Sequence, residues 1–586
     1  MNLNFICRVC RIAAIGAILL GSASCINIDE KLGENLIPTD QKWDVFPQEP
    51  VVLEDIQLCN SSSLSGFSSQ RFVFGSINDG SVLGTVSKVS SITLVPVADS
   101  IDFGKNPKVR QFHFSAVRDT LSTLYDHEQK ILQNVYVSEL KMPLGEGVMY
   151  TNSLSHPDSL NKYVDLSKRI TAGVPVYSGG DSLSFDFSLE YAEKFMAGVD
   201  AAQKAGHMDS INHYINHVPG IYFSTDVPAG KGGRINMFNV GLDNSNGYLQ
   251  ANFAVLKITA EYDYSEEPVD TSFAFIFGPT DFVRYDEDGN ITYPSQFAFN
   301  GSDHETSKTF ENGVTATDKI YVEGGGGLKP VVKAEEIKQI LENLIAAEGI
   351  TDPSEVVINK ATIIFPYDVA GDYDLLDRYP AVLSPTVKYH TEDGKYVTYA
   401  GITDSSISSE NQGEINRSLN IYSPDISHHV QNILNLDRNS ENYAKEIEKN
   451  DIWFLIMAQE IIEDTTYDQS YNNFPYNYYY NSMMYDPYGY GYGGYGGYGG
   501  YGYGGYGYGG YGGYGGYGGY GGYGYNNYYN YAMMAAMYSN MNSGNNTQTK
   551  TELDKDRFYS AALNGPAAAG AKPQIKITFS APKSAE

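Results

Sequence analysis

The chain has 586 residues, with 70 Asp and Glu against 40 Lys and Arg, for a formal charge of −30. So acidic a surface is repelled by phosphate backbones, which excludes nucleic acid as an expected partner. The length and the 42% of hydrophobic residues suffice for two or three domains with sizeable cores, and four cysteines are too few for a disulfide scaffold.

In chain order, Arg8 and Arg11 come first, beside an apolar run over 12–20 that only Gly16 interrupts. Gly21, Ser22, Ala23 and Ser24 then lead to Cys25. Positive charge, a short apolar core and a small-residue exit are the layout of a secretory signal over 1–24. The run falls short of the roughly 20 residues that a membrane span needs. A cysteine directly after that exit resembles the bacterial lipobox, with Ser22 where leucine is usual, and marks Cys25 for lipidation and membrane attachment. Cys7 and Cys10 leave with the signal, so Cys59 is the only other thiol of the mature chain and no internal disulfide is expected. Residues 25–45 read as a tether. Within it Asp29, Glu30 and Lys31 resemble the acidic export tag of Bacteroidota lipoproteins, which predicts display at the cell surface.

The rest reads as mainly β, in two sandwich or jelly-roll-like lobes with short helical insertions: 46–280, then 281–466 together with 551–586. Leu256, Ile258, Ala260 and Tyr262 alternate with polar residues, and Phe273, Phe275 and Phe277 share one face of a second strand after a short polar connection. Period-two patterning of this kind marks strands with one buried face. A hairpin is expected around 391–394 and a last strand through Ile575, Ile577 and Phe579. Helices are few: one capped by Ser188 and stopped at Gly198, one over 209–218 halted by Pro219, and one over Ala334–Ala347 with Ile337, Ile340, Leu341, Leu344 and Ile345 on one stripe. Without regular strand–helix alternation, a doubly wound parallel sheet is not expected.

Candidate chemistry is sparse. His213 and His217 stand four apart on the second predicted helix, a spacing that permits metal ligation; a polar helix face is the favoured reading of the pair. His428 and His429 are adjacent and diverge on a helix. Residues 286–290 have calcium-loop composition without the EF-hand spacing, so a turn is expected there. Gly324, Gly325, Gly326 and Gly327 stand between a strand and a helix but lack the Gly-Lys-Ser/Thr ending of a phosphate loop, and read as a backbone crossing between sheets. No nucleophile or zinc-protease motif is present, so no catalytic residue, cofactor or metal is assigned. A carboxylate pair for glycoside hydrolysis leaves no signature in sequence spacing.

The composition changes abruptly over 467–550. Residues 467–538 hold 26 of the 49 tyrosines, and 487–549 contain no Lys, Arg, Asp or Glu. Gly-Tyr repeats bury too little aliphatic surface to offset about 1–2 kcal/mol of backbone entropy per residue, which predicts a long disordered loop inserted in the second lobe. Its rings, among them Tyr495, Tyr498, Tyr511, Tyr514, Tyr517 and Tyr520, are candidates for stacking on sugars or exposed peptide; a merely tolerated repeat expansion is the alternative.

Several short motifs carry a resemblance. Leu32-Gly33-Glu34-Asn35-Leu36-Ile37-Pro38 after the lipidation site, Gln111-Phe112-His113-Phe114, Pro219-Gly220-Ile221-Tyr222-Phe223-Ser224-Thr225, Gly232-Gly233-Arg234-Ile235-Asn236, the run from Gly324 to Leu328, and Pro573-Gln574-Ile575-Lys576-Ile577-Thr578 are together similar to a Bacteroidota outer-membrane lipoprotein family catalogued as domain of unknown function 4270. The resemblance implies location and architecture and brings no catalytic residues. The expected role is a non-catalytic, surface-exposed interaction module that binds an outer-membrane protein partner. A glycan-binding or adhesive protein and a hydrolase are the alternatives.

Overall fold

The computed structural model describes residues 43–463 and 547–583, with internal breaks of which the longest are 120–130, 144–161 and 241–251. Cys25, Asp29, Glu30 and Lys31, the tyrosines named above and residues 286–290 lie outside the described residues. The described chain is mainly β, built of antiparallel sheets, one of them curled into a half-barrel, with five helices.

The first group of strands is organised by Thr85–Pro96. Near its start this strand pairs with Arg71–Asn78 and Ala298–His304, and near its end with Ile221–Ser224 and Val269–Gly278. Val269–Gly278 continues into Phe253–Glu261, then Lys105–Val117, then Ser182–Asp186. Alternating aromatics on these strands fill the concave side. Phe72 lies 5.2 Å from Phe223, 5.1 Å from Phe238 and 5.7 Å from Phe277, ring centroid to ring centroid. Such side chains bury 150–250 Å² each, so this phenylalanine cluster dominates the first core. The helix Leu189–Lys204 closes its far side, with Phe195 4.7 Å from Phe112 and 4.8 Å from Phe275.

A second core gathers under Ala334–Ala347, which contributes Ile337, Leu341 and Ile345. Gln574–Pro582 runs between Trp43–Pro47 and Val357–Pro366, so the two ends of the described chain lie side by side in one sheet. Ser427–Leu434 packs beside Ala334–Ala347, and the buried Lys338 joins the two helices: its ammonium donates to the carbonyls of Ile433 (3.2 Å), Leu434 (2.9 Å) and Leu436 (2.7 Å). A cation at a helix C-terminus satisfies carbonyls that have no partner within the helix.

Three sequence expectations need correcting. Gly198 does not stop the first helix, which continues to Lys204; a Cβ there would meet the His217 carbonyl oxygen at 2.7 Å, so the glycine lets the following segment pack closely. The second helix is a single turn, Ile211–Tyr214, followed by turns that end at Val218. Strand pairing also departs from the lobe division at 280. Trp43–Pro47, Val51–Val52 and Ile56–Asn60 pair within the second group of sheets, while Ala298–His304 pairs within the first. Pairing partners far away in sequence set these memberships, and local patterning cannot reveal them.

Candidate functional site

Where the two groups of sheets meet, ionisable side chains are buried together. Arg71 opens one strand and Lys88 lies inside the next; His304 ends a third and Glu323 a fourth. The turn 324–327 follows Glu323 and leads to Lys329, and the segment from Asp554 to Arg557 crosses over all of them. Four basic side chains (Arg71, Lys88, Lys329, Arg557) thus face four acidic ones (Asp119, Glu323, Asp554, Asp556), and all eight are buried. Burial of so many charges is sustained only by mutual pairing and hydrogen bonding.

The bonding is dense. Arg71 Nε donates to Asp119 Oδ2 at 2.9 Å, and its Nη1 stands 3.6 Å from Asp556 Oδ2. Asn300 Nδ2 bridges the Arg71 carbonyl and Asp556 Oδ1, at 3.0 Å each, while its Oδ1 accepts from Val73 N and Ser90 Oγ. Lys88 Nζ donates to the Lys555 carbonyl at 3.0 Å. Lys329 Nζ donates to three carbonyls, that of Glu323 just before the glycine turn and those of Gly325 (3.2 Å) and Gly327 (3.2 Å) within it. Ser61 Oγ donates to the last two as well. The turn is therefore the expected crossing between sheets, and it also forms a carbonyl cradle for one ammonium group.

Glu323 anchors a second chain of bonds. Its Oε1 accepts from His304 Nδ1 at 3.2 Å, and its Oε2 accepts from Thr306 Oγ1 at 2.7 Å and from Leu328 N at 3.2 Å. With Nδ1 donating, His304 Nε2 is left to accept from Ser302 Oγ, 2.7 Å away. Burial pushes Glu323 up, but the pull of His304 and the bonds from Thr306 and Leu328 outweigh it and hold the carboxyl below its usual range. Burial likewise holds the His304 imidazole below its ordinary value, and it drives Lys88 down and Lys329 down to about 7. Asp554 is pushed up to about 6, mainly by burial. Its Oδ1 accepts from Arg557 N at 2.9 Å, whereas Oδ2 is buried with no hydrogen-bond partner.

Ser302, His304 and Glu323 stand in the bonding order of an acyl-transfer triad. The serine is nevertheless buried, and a Cβ on Gly325 would lie 3.4 Å from Ser302 Oγ and 2.5 Å from Lys88 Nζ, so turn and lysine cover the hydroxyl. This arrangement orders the junction around a buried hydroxyl. Ser302 is accordingly expected to resist a fluorophosphonate probe in the native protein. Its modification, found by peptide mass spectrometry, would reopen the hydrolase alternative.

The histidines singled out from sequence come together only in part. His217 Nε2 lies 2.9 Å from Nδ1 of His207, a residue the spacing argument missed, and the His213 ring is 5.0 Å from that of His207. Among the described residues no group of three His, Cys, Asp or Glu side chains has metal-holding geometry. His429 is buried, with Nε2 2.8 Å from the Asn450 carbonyl, and burial pushes it down to about 4.

Sequence reading passed over the junction because Asp554-Lys555-Asp556-Arg557 looks like a solvated charged turn. The available signal lay elsewhere: Lys88 and Lys329 are single charges within strands that carry β-branched neighbours, and Arg71 opens the run Phe72-Val73-Phe74. The fold and junction define a mainly β protein whose two cores are joined through a buried ionic seam. No family model, curated protein or solved structure matches the chain.

Proposed function

We propose that the protein is an outer-membrane lipoprotein, anchored through Cys25 and exposed at the cell surface by Asp29, Glu30 and Lys31, that works as a non-catalytic interaction subunit of an outer-membrane barrel or assembly complex. The observation that carries this reading is the amino-terminal order of charge, apolar run, small residues and cysteine, with 17 residues between Cys25 and the first described strand at Trp43. Support comes from the candidate chemistry of the described residues, which is closed inside the junction. Among those residues no helix is long and apolar enough to cross a membrane. Cys25→Ser is expected to lose fatty-acid labelling and to leave the membrane fraction; retention of both sinks the anchor. A mild-detergent pull-down through a tag after Glu586 is expected to recover a stoichiometric barrel protein, and elution of the chain alone would remove the subunit role.

The tyrosine tract favours a second reading, as a glycan-binding or adhesive surface protein. Aromatic rings stack on sugars at about 0.5–1.5 kcal/mol per contact, and many such contacts sum to useful avidity. Deleting residues 487–549 abolishes polysaccharide or partner capture on this reading, and undiminished capture disposes of it.

A further inference from the structure

Trp43–Pro47 is the outermost strand of its sheet and pairs with Gln574–Pro582, which pairs in turn with Val357–Pro366. Across these three strands Val45, Ser580 and Val357 form one row, and Trp43 stands opposite Pro582 in a neighbouring row. The opposite face of the same strands carries Phe46, Ile358, Ile577 and Phe579 into or against the core. One end of the outward face is therefore an exposed apolar patch: Trp43 is 44% exposed, Val45 59% and Val357 46%. Successive outward positions are Pro47, Thr578 and Lys360, then Lys576 and Thr362. The row Val45, Ser580, Val357 and the positions that alternate with it carry no carboxylate; Asp44, between Trp43 and Val45, alternates to the other side and is exposed at the sheet edge. Lys360 is paired with the buried Asp425; Lys576 and Lys583 are exposed.

We infer that this face lies against the membrane surface, with Trp43, Val45 and Val357 at headgroup depth and Lys576 and Lys583 over anionic lipid phosphates. The inference rests on the lipid-anchor reading and adds an orientation to it. Three observations select a lipid surface. The chain outside the structure enters the fold at Trp43 itself, on the patch. The 18 residue steps from Cys25 to Trp43 reach at most about 65 Å, so on the anchor reading the fold stays near the bilayer. Tryptophan beside aliphatic side chains and lysine is the composition that settles at a membrane–water interface, and the cationic rim is complementary to anionic headgroups on an otherwise anionic protein.

The chain has two tryptophans, Trp43 and Trp453, which makes the test direct. The intact lipidated protein is reconstituted into phosphatidylethanolamine–phosphatidylglycerol vesicles whose acyl chains are brominated near the headgroup, and tryptophan emission is recorded with flotation of the same sample. The expected result is quenching and a blue shift in the wild type, both lost in Trp43→Phe and both kept in Trp453→Phe. Protein that floats with the vesicles while Trp43 stays unquenched overturns the orientation, leaves the anchor standing and turns the face toward a protein partner. Protein that fails to float overturns the orientation and the anchor together.

Discussion

Glu323→Gln is expected to destabilise the fold by about 3–5 kcal/mol, the cost typical of breaking a buried charged network from one side. The substitution keeps the shape and removes one charge and one acceptor. Three donors, His304 Nδ1, Thr306 Oγ1 and Leu328 N, converge on the two carboxylate oxygens, and an amide offers one oxygen and an opposing NH₂. The glutamate also balances Lys329 and Lys88, whose buried ammonium groups lose a counter-charge. Glu335→Gln is the matched control: Glu335 is exposed and pairs with Arg438 at 2.7 Å, so its loss should cost less than about 1 kcal/mol. Urea midpoints at neutral pH compare the two. A Glu323→Gln variant within 1 kcal/mol of wild type would mean that the seam contributes little to holding the two cores together.

How much of this was legible beforehand follows from the range of the interactions involved. Alternation in Leu256, Ile258 and Ala260 reports a strand because one face of a sheet is buried, and the hairpin of Phe253–Glu261 with Val269–Gly278 is local enough to be read directly. The stripe Ile337, Leu341 and Ile345 located Ala334–Ala347 to the residue for the same reason. The pairing of Trp43–Pro47 with Gln574–Pro582 joins opposite ends of the described chain, and no local pattern encodes it. The seam was hidden for a related reason. Asp556 reads as a surface residue until Asn300 and Arg71, more than two hundred positions away, are placed against it. Gly198 shows the opposite error, a local rule overruled by the close approach of the His217 carbonyl. The class of fold and a few locally patterned elements could thus be read from sequence, while the site where the two groups of sheets join depended on contacts between remote segments.

Asp554→Asn should change the pH profile of stability more than stability at any single pH. The carboxyl is buried, Oδ2 has no hydrogen-bond partner, and burial pushes it up to about 6 from 3.8. Below 3.8 the group is protonated in both folded and unfolded chains and costs nothing. Between 3.8 and about 6 the folded chain holds a proton that the unfolded chain has released, so stability falls as pH rises. Above about 6 the loss is complete, and a displacement of this size corresponds to roughly 3 kcal/mol. The asparagine does not titrate, and its oxygen can still accept from Arg557 N. The variant should therefore gain on the wild type by a large part of that amount between pH 4.5 and 7.5. Lys329 provides an opposing, separable signature. Its pKa is lowered to about 7 from 10.5, so the cost of burying it is fully present below 7 and is relieved as pH rises toward 10.5. Asp554 helps that ammonium hold its proton, and without the carboxylate the relief should begin at lower pH. Denaturant midpoints for both proteins from pH 4.5 to 9 decide the matter. Parallel curves would mean that Arg557, whose Nη1 stands 3.5 Å from Asp554 Oδ1, and Lys88 offset the cost of burying this carboxylate.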